Sequence, residues 1–437
     1  MLYNVAEAKQ RVCVIGAGMS GLAAIKLLRD YPHDFEPIAF DKNADVGGMW
    51  IYTNSTDVDE HGIPIISSLY RELRVNLPKE LMAYPDYQDF IGQEDRSYVS
   101  HEMVLEYLRN YTEHFNLREN IKFETFVEKV IPISDNNNWQ TTKQQNWSIM
   151  SRNLDTNETD ETICDAVMIC NGHFFKPHIP KIPGIESFSG RILHSHTYRH
   201  PEEFKDKIVV LLGASASGMD IGIQISSYAK TVYLSHRHDK YKLDFPKNLI
   251  QVRGIVAANG SELTLQDGSK ITVDVFMFCT GYLYEFAFLD ESSNLFFEKR
   301  KHVRPLYKDF INVEHLSMAL IGLPDFYVKG VYYYSQIKFF RNLLLGKIKL
   351  PSYEIMMEES KRPPPKTPRG NENLTHDPEW DYCADLAKQG RFEPLPALYE
   401  KSMELYHYIF RNFADFRKFD LKLLENGKPI FVRRQKE

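Results

Sequence analysis

The sequence predicts an α/β protein carried by two copies of one unit. Three observations predict it. An apolar run at 12–15 leads into Gly16-Ala17-Gly18-Met19-Ser20-Gly21. A second run at 208–212 leads into Gly213-Ala214-Ser215-Ala216-Ser217-Gly218. In both, apolar or glycine positions then recur at helical spacing: Gly21, Ala24, Ile25 and Leu28, and later Gly218, Ile221, Gly222 and Ile225.

In the first unit each glycine has its own task. Gly16 makes the tight turn, Gly18 lets backbone approach a diphosphate, and Gly21 lets helix pack close on strand. The helix start offers free N–H groups and a positive dipole end to phosphate. A second strand, 37–40, ends in Asp41, twenty residues past Gly21. An acid there accepts from a ribose hydroxyl and repels a 2′-phosphate. Strand, loop, helix, strand and acid fall in order, which makes this a dinucleotide site of Rossmann type. Gly47-Gly48-Met49-Trp50 follows. A glycine pair lets backbone lie against a flavin, so the dinucleotide is read as FAD.

Between the units, 53–63 is polar and reads as a loop. Residues 68–85 are too irregular to assign. A helix is expected over 100–116, with Ser100 as its N-cap and Met103, Leu105, Tyr107, Leu108, Tyr111 and Phe115 on its apolar side. Residues 120–133 read as a strand and its continuation, 136–145 as a hairpin tip, and 166–170 as a buried strand running into Asn171-Gly172-His173. Lys-Pro-His-Ile-Pro-Lys-Ile-Pro-Gly at 176–184 reads as an interdomain linker.

The second unit departs from the first at two positions. Ser215 stands where the first loop has its middle glycine. Its next strand, 232–234, ends in Ser235-His236-Arg237, and Arg237 lies nineteen residues past Gly218. A base where the first unit has an acid suits the 2′-phosphate of NADPH. Further strands are expected at 273–279 and 316–323, helices at 332–345 and 398–416, and an exposed connection at 361–369. The domains so read are 1–174 with 291–437 for FAD, and 175–290 for NADPH.

Bulk properties narrow the function. A chain of 437 residues fits two domains. A net charge of −6 gives no electrostatic footprint for nucleic acid. No stretch reaches the ~18 apolar residues of a membrane span; 339–350 is short and broken by Arg341, Lys347 and Lys349. MLYNVAEAKQ carries no signal-peptide core, so a cytoplasmic protein is expected, with a secreted mature form as the alternative. The five cysteines form no disulfide framework. Cys13, Cys170 and Cys279 lie in apolar runs and read as buried free thiols of a reducing compartment. Six N-x-S/T sequons, at Asn54, Asn110, Asn146, Asn157, Asn259 and Asn373, weigh weakly against the cytosol. The histidines lack metal-ligand spacing, and no metal is expected.

Phe188-Ser-Gly190-Arg-Ile-Leu-His194-Ser-His196-Thr-Tyr198 matches FxGxxxHxxx(Y/F). With both loops, Gly47-Gly48-Met49-Trp50 and Thr280-Gly281-Tyr282 in order, most of the chain resembles the flavin-containing monooxygenases. The lack of an anchor after Val-Arg-Arg-Gln-Lys-Glu resembles their soluble insect branch, which includes pyrrolizidine-alkaloid N-oxygenases. The resemblance implies an NADPH domain inserted into an FAD domain, and oxygenation of amine or sulfide nucleophiles through a C4a-hydroperoxyflavin. Its partners are a small nucleophilic substrate and O2, with a homo-oligomer as an open possibility. It carries Gly16, Gly18, Ser20, Gly21, Asp41, Gly48, Met49 and Trp50 over to FAD. Gly213, Ser215, Ala216, Ser217, Ser235 and Arg237 go to NADPH. Asn171 and Tyr198 go to cofactor contact, Gln336 to the flavin side, and Asn76 in Arg-Val-Asn-Leu-Pro to catalysis. His194 is read instead as a structural bridge at the domain junction. Two other readings stand beside this one. A Baeyer–Villiger ketone monooxygenase shares both loops but ends the motif in Trp where Tyr198 stands; a flavin-binding carrier would have lost turnover.

Overall fold

The first unit's apolar run is a strand, Gln10–Ile15, inside a seven-stranded sheet. It pairs in parallel with Phe35–Phe40 on one side and Ala166–Ile169 on the other. Ile121–Lys122 extends one edge; Met318–Leu320, Ile311–Asn312 and Leu306–Tyr307 extend the other, the last two antiparallel. The computed structural model describes residues 8–92, 96–133, 146–298, 302–326, 328–363 and 378–434. The expected hairpin tip at 136–145 and most of the connection at 361–369 lie outside them.

Period-two alternation divides the Gln10–Ile15 strand between two cores. Val12 and Val14 face one, packed under Leu22, Ile25 and Leu28 of the Met19–Arg29 helix. Cys13 and Ile15 face the other, with Val167, Ile169 and Trp147. Burying those three helix side chains contributes about 1.5–3 kcal/mol each. That outweighs the roughly 1 kcal/mol that Gly21 costs a helix. The Lys329–Leu344 helix packs alongside Met19–Arg29 and supplies Val331, Ile337, Phe340 and Leu344 to the same core. The expected helix over 100–116 runs His101–His114 with Ser100 at its N-cap position.

A second, wholly parallel sheet has the order Leu249–Val252, Thr231–Ser235, Ile208–Leu212, Val275–Phe278, Arg191–His194. All five strands fall in sequence between Ile169 and Leu306 of the first sheet, so the second unit is an insertion. The two crossings lie side by side: Lys176–Pro177 pairs antiparallel with Tyr282–Leu283. An antiparallel sheet of Thr125–Pro132, Trp147–Asn153 and Thr159–Cys164 leans on the first.

That lean overturns the reading of Cys13 as a free thiol. Cys164 ends the outer strand opposite Cys13, with 5.9 Å between the two Cα atoms, and the pair forms a disulfide. A separation of 151 residues hid the pairing from the sequence. Cys170 and Cys279 are free and buried, and Cys383 is buried. The cysteines therefore give no argument for a reducing compartment. Among the described residues, no helix is long and apolar enough to cross a membrane.

Candidate active site

The two loops repeat each other in atomic detail. Gly16 has φ +104°, and a Cβ there would lie 2.7 Å from the Cys170 carbonyl oxygen. Gly213 has φ +114°, and a Cβ there would lie 2.3 Å from the Cys279 carbonyl oxygen. A Cβ on Gly21 or Gly218 would sit 1.8 Å from the carbonyl oxygen of Gly16 or Gly213. These four glycines serve the protein's own packing. Gly18 is different. It caps the helix in extended conformation, and a Cβ there would make only ordinary contact, 3.5 Å, with Gly48 Cα. The fold itself allows a side chain at Gly18, so the space before it suits a ligand. Gly48, at φ +56°, faces Gly18 closely, and the Gly47 N–H donates to the Ala17 carbonyl at 3.1 Å.

Asp41 is buried. It accepts from the Ala17 N–H at 2.7 Å, the Asn43 N–H at 2.9 Å and Asn43 Nδ2 at 2.8 Å. Burial pushes its pKa up and these hydrogen bonds pull it back. Three of a carboxylate's roughly four acceptor sites are taken, which leaves one for a ribose hydroxyl. Asn171 abuts the loop, its Cα 3.2 Å from a Cβ placed on Gly16. Met49 and Trp50 lie half-buried in a single turn, Gly48–Trp50, and Ser67 Oγ donates to the Met49 carbonyl at 2.8 Å. Ser20 points inward, its hydroxyl donating to the Cys170 carbonyl at 3.3 Å.

In the second loop Ser215 and Ala216 are exposed and Ser217 half-buried, at the start of the Ala216–Ser226 helix. Ser215 takes the extended conformation of a cap without bonding the helix through its side chain. Arg237 is exposed and has no ion-pair partner among the described residues. Three expected contacts are not brought to a ligand surface. Ser235 is fully buried and donates to the Arg253 carbonyl at 3.0 Å. Tyr198 is fully buried in the second unit's core, edge-on to Tyr70, and donates to Gln224 Oε1 at 3.2 Å. Gln336 is fully buried too; it accepts from the Gly322 N–H at 2.9 Å and donates to Tyr382 Oη at 2.8 Å. Gln336 thus braces a turn at φ +93°.

Between the units the motif residues lock the crossings. His194 Nδ1 accepts from the His196 N–H at 3.0 Å, so its proton is on Nε2, 3.2 Å from the Gly281 carbonyl. Burial, then the neighbouring His196, lowers its pKa to about 4. Arg199 is buried and donates to the carbonyls of Thr53, Ser55, Ser67, His196 and Tyr198. Asn76 lies where the chain passes between cores: Tyr70 belongs to the second unit's, Val75 and Leu77 to the first's. Its Oδ1 accepts from Arg417.

The chain matches the model of the flavin-binding monooxygenase-like proteins over residues 9–248 and 248–390. It belongs to that family. A curated relative, the flavin-containing monooxygenase FMO GS-OX4 of Arabidopsis thaliana, is 38% identical over 369 residues, 80% of this chain and 77% of the relative. Among solved structures, Tmm from Pelagibacter sp. strain HTCC7211 is 28% identical with a TM-score of 0.81, covering 96% of this chain and 95% of its own. The S-allyl-L-cysteine S-oxygenase of Allium sativum is 29% identical with a TM-score of 0.80, covering 92% and 93%.

The family binds a flavin, and FAD and NADPH are the dinucleotides that the two loops are read to hold. The residues present fit them: one loop opens at Gly18, the other presents exposed Ser215 and Ala216 with Arg237 nearby in sequence. Sequence reasoning missed two residues of the flavin monooxygenase's junction. Asp220 is the one charged residue of its helix and lies on its buried side, a signal that it needs a buried partner. That partner, Arg417, stands 197 residues away, in Phe416-Arg417-Lys418-Phe419, and nothing local marks it.

Proposed function

We propose that this protein is an NADPH- and O2-dependent oxygenase of soft nucleophiles, with a thioether sulfur as its first substrate class and a tertiary amine nitrogen second. The likeness to the S-allyl-L-cysteine S-oxygenase, over nearly the whole of both chains, carries the preference for sulfur. The reaction balances as one thioether, one O2, one NADPH and one proton giving one sulfoxide, one NADP+ and one water. Bound FAD would supply the redox chemistry that activates O2 with the electrons of NADPH, one oxygen atom going to the sulfur and the other to water. The protein's own work is placement. Gly16, Gly18 and Gly21 with Asp41 would hold the FAD diphosphate and ribose, and Gly48–Trp50 would lie along the flavin. Ser215, Ala216 and Ser217 would hold NADPH phosphate, with Arg237 on the 2′-phosphate. Asn76 would donate to the reacting oxygen, since a carboxamide carries two donors.

Purified protein loaded with FAD is given NADPH, air, and either an S-alkyl cysteine or a tertiary amine. Sulfoxide close to one per NADPH is the expected result. N-oxide without sulfoxide would reverse the order of substrates. NADPH oxidation without either product would leave an uncoupled NADPH oxidase and overturn the oxygenase reading, and no NADPH oxidation at all would leave only a flavin-binding carrier.

A further inference from the structure

We propose that Arg417, in the C-terminal segment, is the positioning residue for Asn76. This rests on the catalytic reading of Asn76 given above. Arg417 sits in a short turn, Phe416–Lys418, and reaches between the two units. Its Nη1 meets Asp220 of the second unit's helix. Its Nε donates to the Val75 carbonyl at 3.0 Å, and Nη2 to the Arg74 carbonyl at 3.1 Å and to Asn76 Oδ1. Tyr70 Oη donates to the other Asp220 oxygen. One planar fork therefore grips both carbonyls before Asn76, the Asn76 side chain, and an acid on the opposite unit.

The direction of these bonds sets the carboxamide. A guanidinium has five donors and no acceptor, so only the oxygen of Asn76 can face it. A flipped amide would set NH2 against a cation. Arg417 consequently leaves Nδ2 as the end that can donate to a bound ligand, and Nδ2 makes no hydrogen bond among the described residues. The charge is secured: burial opposes it, but Asp220 alongside raises the Arg417 pKa above its usual value. Asp220 is itself buried, so the fork is anchored at its far end before it reaches Asn76.

Arg417→Lys separates the roles. An ammonium is a point charge that stays with Asp220 and cannot also span Asn76 and two carbonyls. The FAD-loaded variant is expected to consume NADPH as before but to lose product per NADPH by up to about a hundredfold, matching Asn76→Leu, with the shortfall appearing as hydrogen peroxide. The double variant should be no worse than either single one. Asp220→Asn, which keeps a polar partner for Arg417, should lower the unfolding midpoint yet keep product per NADPH. Unfolding of the ligand-free protein gives a readout apart from turnover: the midpoint losses of Asn76→Leu and Arg417→Lys should not add. Normal product yield in Arg417→Lys, or equal further loss in the Asn76→Leu background, would overturn the positioning role. Normal yield in Asn76→Leu itself would overturn the reading of Asn76 beneath it.

Discussion

At the residue scale, the glycines of the first loop divide into those the fold needs and the one it does not. Gly21 leaves no room for a Cβ, which would meet the Gly16 carbonyl oxygen at 1.8 Å. Gly18 leaves room, with its nearest neighbour at 3.5 Å. Gly21→Ala should therefore destabilise the ligand-free protein by about 3 kcal/mol or more, because helix and strand must part. Gly18→Val should cost only about 1 kcal/mol, as a poorer helix cap. Yet it is Gly18→Val that should abolish FAD retention, since its branches fill the space in front of the loop. Denaturant unfolding without FAD, then flavin absorbance per protein after reconstitution, reads the two effects separately. A Gly18→Val protein with full flavin occupancy would move the FAD site elsewhere. The GxGxxG pattern already assigns the middle glycine to a diphosphate; the coordinates add that the fold itself has room for a Cβ there.

At the scale of single elements, the strands and helices that carry a period were legible, and their ends were not. The parallel strands read as apolar runs because both faces are buried, Val12 and Val14 against one core and Cys13 and Ile15 against the other. The antiparallel strands Trp147–Asn153 and Thr159–Cys164 carry mixed residues and gave no such run. At strand ends, inward and outward positions decide function, and the sequence hides which is which. Thr231–Ser235 ends with Ser235 turned in to the Arg253 carbonyl, while Arg237 two residues later is exposed. Arg237→Ala is expected to weaken NADPH binding by about 1.5–3 kcal/mol, roughly ten- to a hundredfold, and to leave NADH unchanged. Ser235→Ala should leave both cofactors unchanged and lower stability instead. Dissociation constants for the two nucleotides check this; equal weakening of NADH by Arg237→Ala would remove Arg237 from the 2′-phosphate.

At the scale of the whole molecule, two units are held together by buried polar groups, and these were the least legible part of the sequence. Arg199 and Arg417 bind backbone carbonyls and a distant acid, partners that no spacing rule connects. His194 was legible, because its motif places it between the units, and its bonds give the junction a pH dependence. Its Nδ1 accepts from the His196 N–H, so a proton on Nδ1 breaks that bond and charges a buried ring. Its folded pKa is accordingly lowered from 6.5 to about 4, by burial first and His196 second. The unfolded chain takes up a proton near 6.5 and the folded chain does not until about 4. The stability it contributes is thus complete above 6.5 and is lost as pH falls toward 4, at most about 1.4 kcal/mol per pH unit. Between pH 7 and pH 5 that comes to about 2 kcal/mol from His194. His173, lowered to about 3 by burial and then by Lys329, adds in the same direction. His194→Gln keeps a donor for the Gly281 carbonyl and an acceptor for the His196 N–H but does not titrate. Its unfolding free energy should start somewhat lower at pH 7 and fall less by pH 5, narrowing the wild-type drop by about 2 kcal/mol. Denaturant unfolding of both proteins at the two pH values measures that difference directly. Parallel losses in wild type and variant would mean that His194 takes up its proton at the same pH folded as unfolded, and that the drop in stability comes from other groups.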